Sequence, residues 1–175
     1  MEQALRAGPI TLRRWSTDRD EQLDTAINES LPELQRFMPW ATDDHGLAQT
    51  REYLERSAAE WDTGQTWNYG MLDGTGAVVG SCGLMTRMGP GVLEIGYWVH
   101  SAHTGRGYAT AAATVLAEVG LQVPGIERVV IKHDAANPAS GRVALNAGFT
   151  EVGREEVEPQ TGEQSGVLVI WERRA

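Results

Sequence analysis

Two glycines flank an arginine at residues 105 to 107, within the stretch EIGYWVHSAHTGRGYAT that runs from residue 94 to residue 110. The stretch predicts an apolar strand, a short loop and the start of a helix. The first N–H groups of a helix are free and carry roughly +0.5 elementary charge, and no side chain at Gly105 or Gly107 covers them. The turn therefore predicts a site for a phosphate-bearing ligand, and a plain capping turn is the structural alternative.

Two common nucleotide-binding loops do not fit this turn. The sequence has no G-x-x-x-x-G-K-[ST] motif, and a dinucleotide fingerprint would need a third glycine where Thr110 stands. A P-loop nucleotide site and a Rossmann site are therefore not expected.

Glu94 is the candidate catalytic base on the strand that precedes the turn. The two-residue period of a strand places Glu94, Gly96 and Trp98 on one face, and the residues between them on the other. The path from Val99 back to Glu94 is about 16 Å, comparable to an extended pantetheine arm. Glu94 is thus expected near the reactive end of a ligand whose phosphates lie at the turn, and an ion pair at the strand edge is the alternative.

The predicted elements follow the order βααβββαβαββ, an α/β arrangement of a mixed sheet between helices. Strands are predicted in PITLRRW, TWNYGML, AVVGSCGLMTRM, VLEIGYWVH, RVVIKHD, FTEVGREEVE and SGVLVIWERR. Helices are predicted in STDRDEQLDTAINESL, GLAQTREYLERSAAEWDTG, YATAAATVLAEVGLQV and ASGRVALNAG, with a short helix or loop in LPELQRFMPWATDDH. The passage from residue 92 to residue 134 is expected to be a parallel, right-handed crossover, which puts the glycine turn at a ligand-binding edge.

Three motifs in this order resemble the GNAT superfamily of N-acetyltransferases, and more narrowly its RimJ/RimL branch. The motifs are EIGYW, GRGYAT and NPASGRVALNAGF, and the glycine turn follows the pattern Q/R-x-x-G-x-G/A with Thr104 at its first position. The resemblance spans nearly the whole chain. It implies a mixed, mostly antiparallel central sheet flanked by helices, with two splayed central strands that bind acyl-CoA.

The same resemblance implies acetyl-CoA as co-substrate, no metal, and direct transfer of the acetyl group to an amine. Glu94 would act as base, and Ser140 would assist the leaving sulfur, although Ser140 equally fits the N-cap of a helix. The expected cofactor-binding residues are Tyr97, Trp98, Val99, Thr104, Gly105, Arg106, Gly107, Tyr108, Ala109, Thr110 and Asn137. An oxyanion donor is expected from a backbone amide near Trp98.

The acceptor amine is the least determined part of the reaction. At neutral pH roughly a tenth of an α-amine is uncharged, whereas a lysine amine is almost wholly charged, so one modest base suits an α-amine. A peptide or protein N-terminus or a small molecule is the expected acceptor; an aminoacyl-nucleotide antibiotic, or a non-catalytic acyl-CoA sensor, is the alternative. Phe37, Trp40 and Trp67 are predicted to line the acceptor pocket, with core packing as the alternative for each.

Composition sets the wider expectations. The chain has 175 residues, a net charge of -9 and a single cysteine, Cys82. We expect a single domain over residues 1–175, in the cytoplasm, with Cys82 buried on a strand. An acidic chain is not expected to bind nucleic acid or an anionic membrane, and a homodimer is compatible with the sequence. His100 and His103 have no acidic or thiol companion in their loop, so they are expected on the surface and not around a metal.

Overall fold

A computed structural model describes residues 1–174 as an eight-stranded sheet with helices on both faces. The strand order is β1-β2-β3-β4-β5-β6-β8-β7, and every neighbouring pair is antiparallel except β5 and β6. The strands are β1 (Ala4–Ala7), β2 (Ile10–Arg14), β3 (Thr66–Leu72), β4 (Val78–Met85), β5 (Val92–Val99), β6 (Arg128–Asp134), β7 (Thr150–Glu156) and β8 (Val167–Arg174). The helices are α1 (Asp20–Glu29), α2 (Leu31–Gln35), α3 (Leu47–Thr63), α4 (Tyr108–Leu121) and α5 (Pro138–Asn146). The predicted fold class is confirmed.

The N-terminus differs from the prediction by one strand. β1 pairs with β2 as a hairpin that turns at Gly8, whose φ is +57°. β1 is four residues long, and its sequence, ALRA, shows no clear alternation of apolar and polar residues. The sequence alone therefore does not predict a strand there. Its inward residues Leu5 and Ala7 are buried, which indicates that packing stabilises it.

Two apolar layers hold the helices against the sheet. α4 packs on one layer through Ala112, Ala113, Ala117 and Gly120, and a Cβ added at Gly120 would lie 3.2 Å from Val129. Small residues thus let α4 approach the strands closely. α1 and α2 contribute Leu23, Ile27 and Leu34 to the second layer, around Trp15. The 310 segments Thr17–Arg19 and Ser101–His103 complete the helical elements.

β5 and β6 separate halfway along their length. They pair only from Val92 to Ile95, against Arg128 to Ile131, while β5 continues along β4 to Val99 and β6 continues along β8 to Asp134. The predicted parallel crossover and the splayed central strands are therefore confirmed. Within residues 1–174, no helix is long and apolar enough to cross a membrane.

Candidate active site

A cleft of about 1210 Å³ opens where β5 and β6 part. Both splayed strands line it, from Glu94 to Trp98 on β5 and from Lys132 to Asp134 on β6. Glu94 and Trp98 face the α1–α3 side of the sheet, whereas Tyr97 packs with the layer that contains α4. The cleft therefore joins the two faces of the sheet.

The free backbone groups of β5 point into the cleft. The His100 N–H donates to the Val79 carbonyl at 2.9 Å, and the register places Trp98 opposite Ser81. Because hydrogen-bonding directions alternate along a strand, Gly96 and Trp98 bond to β4, while Tyr97 and Val99 direct their N–H and C=O groups toward β6. β6 has already diverged there. Tyr97 and Val99 thus offer backbone groups to a ligand, and Trp98 offers its side chain.

Glu94 is buried and paired with Arg87. Arg87 Nε donates to Glu94 Oε2 at 2.7 Å, and an Arg87 Nη atom donates to Glu94 Oε1 at 2.6 Å. The Glu94 side chain is 8% exposed and the Arg87 side chain 63% exposed. Hydrogen bonding to Glu94 raises the pKa of Arg87 above its usual value, so the guanidinium stays charged. Glu94 therefore lines the cleft as expected and also forms the ion pair that was its alternative.

Ser140, Tyr97 and Asn137 meet on the other side of the opening. The Tyr97 hydroxyl lies 2.7 Å from Ser140 Oγ and 3.2 Å from the Ser140 carbonyl oxygen. Burial raises the pKa of Tyr97 to about 12, so this hydroxyl keeps its proton. A neutral phenol can therefore donate to Ser140 and leave the serine proton free for another acceptor.

The N-cap of α5 is Asn137 and not Ser140. Asn137 Oδ1 accepts a hydrogen bond from the Ser140 N–H at 3.3 Å, and Pro138 occupies the first helical position. The prediction that Ser140 could be the helix cap is therefore wrong, because the helix begins two residues before it. The Ser140 hydroxyl faces Tyr97 and the cleft.

The glycine turn leads into α4 just beyond the cleft-lining residues. Gly105 and Gly107 have φ values of +75° and +77°, and a Cβ added at either would meet nothing within 4 Å. Gly107 caps α4, and among residues 1–174 no protein acceptor bonds the backbone N–H groups from Gly105 to Thr110. These amides are therefore without a protein partner, and no side chain covers the two glycines, as a phosphate cradle requires.

His100 anchors this turn to α1. Its Nε2 lies 2.8 Å from Glu29, and its Nδ1 accepts from the Ala102 N–H at 3.1 Å. His100 is buried, so the expectation that it lies on the surface is wrong. Its two contacts fix the start of the loop that carries Gly105 and Gly107. Arg106 extends from that loop, with one Nη donating to the Ala102 carbonyl at 3.4 Å.

Aromatic side chains line the α1–α3 end of the cleft. Phe37, Trp40 and Trp98 lie there, with the Trp40 and Trp98 ring centroids 6.4 Å apart. Trp40 is 43% exposed, which is unusual for an indole that merely fills a core. Trp67 does not join them, because it lies on the opposite face of β3 from Asn68 and packs against the core with α4.

The comparisons with known proteins agree with this geometry. The acetyltransferase (GNAT) domain family matches residues 10–150. The chain belongs to the GNAT acetyltransferases. The uncharacterized protein YkkB of Bacillus subtilis (strain 168) is 27% identical over 144 residues, which cover 78% of this chain and 79% of YkkB.

Two solved structures share the fold over nearly the whole chain. The microcin C7 self-immunity acetyltransferase MccE, in complex with acetyl-CoA and AMP, has a TM-score of 0.90 and 20% identity, covering 100% of this chain and 98% of its own. RimL, a ribosomal alpha-N-protein acetyltransferase in complex with coenzyme A, has a TM-score of 0.88 and 18% identity, covering 98% and 97%. The GNAT chain described here is an acyltransferase, and acetyl-CoA is its co-substrate.

The residues of this GNAT chain fit acetyl-CoA at three points. The open amides from Gly105 to Thr110 suit a pyrophosphate, the free backbone groups of Tyr97 and Val99 suit the amides of a pantetheine arm, and Ser140 lies beside the opening. Thr104 is exposed, and its hydroxyl donates to the Ser101 carbonyl at 3.2 Å, so its side chain braces the loop. No group of three or more His, Cys, Asp or Glu side chains within residues 1–174 could hold a metal ion.

Several residues of this GNAT site carry no signal in the sequence motifs. Arg87 lies just after β4. It reaches Glu94 because the register of β4 and β5 sets Met85 opposite Glu94. Asp134 accepts hydrogen bonds from Ser165 Oγ and from the Ser165 and Ala136 N–H groups at 2.7 to 2.9 Å. Burial raises the pKa of Asp134, but these hydrogen bonds outweigh it and hold the pKa below its usual value.

The β7–β8 loop borders the cleft through Gln160 and Gln164. Gln164 donates to the Phe37 carbonyl at 3.2 Å, and Arg36 pairs with Glu163 at 2.7 Å. These contacts cross between distant parts of the chain, so hairpin register alone could not reveal them. They hold the loop that carries Phe37 and Trp40 against the end of β6.

Proposed function

We propose that this acyltransferase moves the acetyl group of acetyl-CoA directly to a primary amine, and that its acceptor is the α-amine of a peptide or protein N-terminus or of a small molecule. The observation that carries this proposal is the arrangement around the opening between β5 and β6. A carboxylate, Glu94, lies on one side of the sheet, and a hydroxyl pair, Ser140 and Tyr97, lies on the other. A direct transfer needs a proton acceptor near the amine and a proton donor near the sulfur.

Each group has a chemical task in this reaction. Acetyl-CoA supplies a thioester carbonyl that an uncharged amine can attack. Glu94 takes the ammonium proton, directly or through water, and such base catalysis contributes about 10² to 10⁴-fold. The free N–H of Tyr97, which is nearer to Glu94 than that of Val99, would stabilise negative charge on the thioester oxygen.

Ser140 is assigned to the departing sulfur. Its hydroxyl can donate to the thiolate while its oxygen accepts from Tyr97, so the two hydroxyls form a directed chain. The high pKa of Tyr97 keeps its hydroxyl protonated across the physiological range, so it stays available as a donor to Ser140. A thiol is already a good leaving group, so this contribution is smaller than that of the base.

The experiment that tests this proposal measures free thiol release from acetyl-CoA and acetylation of the acceptor by mass spectrometry. The panel contains peptides that begin with free serine or alanine, the same peptides acetylated at the N-terminus, and Nα-acetyl-lysine. We expect release only with the free α-amines. Binding of acetyl-CoA with no release from any acceptor would instead support a sensor, and release with Nα-acetyl-lysine alone would contradict the α-amine assignment.

A second acceptor class, an aminoacyl-nucleotide, is favoured by the aromatic wall of the cleft. Trp40 presents a largely exposed indole beside Trp98, and an indole face suits stacking by a nucleobase. An aminoacyl-sulfamoyl adenosine added to the panel separates the two classes. Its acetylation at a much higher kcat/KM than the peptides would favour the nucleotide acceptor.

A further inference from the structure

The ion pair between Arg87 and Glu94 joins a buried carboxylate to an exposed guanidinium. Glu94 is almost completely buried, and both of its oxygens are engaged by one guanidinium. Arg87 itself is mostly exposed, and its ion-pair contact is with Glu94. A buried carboxylate covered by a solvent-facing cation can exchange that cation for another one, because the covering side chain has room to move into solvent.

The pairing also conflicts with the role of Glu94 as a base. The Arg87 guanidinium occupies both carboxylate oxygens, so neither oxygen is open to an ammonium group while the pair is formed. Deprotonation of an ammonium group needs the carboxylate to be free of Arg87. In this structure Arg87 balances the charge of Glu94 and blocks the carboxylate oxygens from an incoming amine.

Three other charged side chains of the cleft have partners elsewhere. Lys132 pairs with Glu155 at 3.4 Å, Arg56 lies 3.9 Å from Glu60, and Asp134 holds the β7–β8 loop. The remaining titratable side chains that line the cleft are His45, Glu52, Tyr53, Cys82, Tyr97 and His133. Among residues 1–174, only Arg87 lies within ion-pair distance of Glu94.

We propose that Arg87 is a placeholder for the acceptor's ammonium group: it neutralises Glu94 while the acceptor site is empty and leaves when a cationic amine enters. This inference rests on the proposed function and adds that the acceptor binds in its charged form. The incoming ammonium replaces Arg87 at the carboxylate, and Glu94 then receives one of its protons as the amine attacks. Arg87 is a positioning residue, since it acts only through Glu94.

The first test observes Arg87 directly in nitrogen-15 labelled protein saturated with coenzyme A. The Arg87 Nε–H resonance is assigned by its loss in Arg87→Gln, and a peptide with a free N-terminal serine is then added. We expect the resonance to move toward the position of an exposed arginine. The same peptide acetylated at its N-terminus is the control and should leave the resonance in place.

The second test compares kinetics in Arg87→Gln, Arg87→Lys and Arg154→Gln. Arg154 forms an ion pair with Glu151 at 2.9 Å outside the cleft, so it is the matched control. We expect Arg87→Gln to lower the KM for the free peptide by about three- to fivefold, because no ion pair must be broken. The KM of Arg87→Lys should lie between those of Arg87→Gln and the wild type, and the KM of Arg154→Gln should match that of the wild type.

The outcomes separate this inference from the proposed function. Acetylation of the peptide with an unmoved Arg87 resonance and an unchanged KM in Arg87→Gln would overturn the placeholder role and leave the proposed function intact. Displacement of Arg87 without acetyl transfer would support the placeholder and contradict the proposed function. No displacement and no transfer would contradict both. If Arg87→Gln does not fold, Arg87→Lys, which also lacks the guanidinium Nε–H, assigns the resonance and supplies the KM comparison.

Discussion

Replacing Gly107 with alanine should weaken both the fold and the binding of acetyl-CoA, each for a different physical reason. Gly107 has φ +77° and caps α4, and an alanine in that left-handed conformation costs about 1 to 2 kcal/mol. For a chain of this size, each 1 kcal/mol lowers Tm by about 2 to 4 °C. The new methyl group meets nothing within 4 Å in the free protein, so strain is the only expected cost there.

The effect on the ligand has a different physical origin. The methyl group would project into the space in front of the free amides from Gly105 to Thr110, where the pyrophosphate is assigned. We expect the Kd for acetyl-CoA, measured by calorimetry, to rise at least tenfold, which corresponds to about 1.4 kcal/mol. This loss appears only on binding and so adds to the strain.

Gly125→Ala provides the matched control. Gly125 has φ +83° and an equally open Cβ position, but it lies in the loop between α4 and β6, beyond the C-terminal end of α4. It should lose the same stability and keep the wild-type Kd. Equal affinities of the Gly107 and Gly125 variants for acetyl-CoA would refute the assignment of the turn to the pyrophosphate.

Three further predictions concern other parts of the site. Tyr97→Phe should lower kcat about fivefold, because Ser140 loses a hydrogen bond of about 1 kcal/mol. In a protein that already carries Ser140→Ala, Tyr97→Phe should not lower kcat further. Equal losses of kcat with and without Ser140→Ala would contradict the coupling. Asp134→Asn should destabilise the fold by about 2 kcal/mol at neutral pH in urea unfolding. Because the pKa of Asp134 lies below its ordinary value of 3.8, its contribution is present above that pH and lost as pH falls through the lower value, so the two proteins should converge in acid; a pH-independent difference would contradict this account. Trp40→Ala should raise the acceptor KM and leave both the acetyl-CoA Kd and Tm nearly unchanged, since Trp40 is largely exposed; a large Tm loss would place it in the core.

Features whose physical cause is local were predictable from the sequence. The glycine turn follows from adjacent residues, and the alternation along β5 correctly separates Glu94 and Trp98 from Tyr97. The cap of α5 has a local signal as well, because asparagine followed by proline is a favoured start of a helix, but the prediction of Ser140 as the cap missed it. The burial of Cys82 is confirmed for the same reason, since it lies in a strand of apolar and small residues.

Features that depend on how elements meet were not predictable. The arrangement of the whole sheet decides which face of β3 lines the cleft. The sequence alone therefore could not separate Trp67 from the aromatic residues of the cleft. Arg87 reaches Glu94 only because of the β4–β5 register, and His100 is buried only because α1 brings Glu29 beside it. Short β1 is a strand because β2 and α4 cover it.

The most direct test of the central claim is a crystal structure of this protein with a non-hydrolysable acetyl-CoA analogue. The account predicts the pyrophosphate on the amides from Gly105 to Thr110 and the pantetheine arm between β5 and β6. The sulfur should lie within hydrogen-bonding distance of Ser140 Oγ, with the acetyl group directed toward the side of the sheet that carries Glu94. An analogue bound elsewhere, or one whose acetyl group points away from Glu94, would contradict the account.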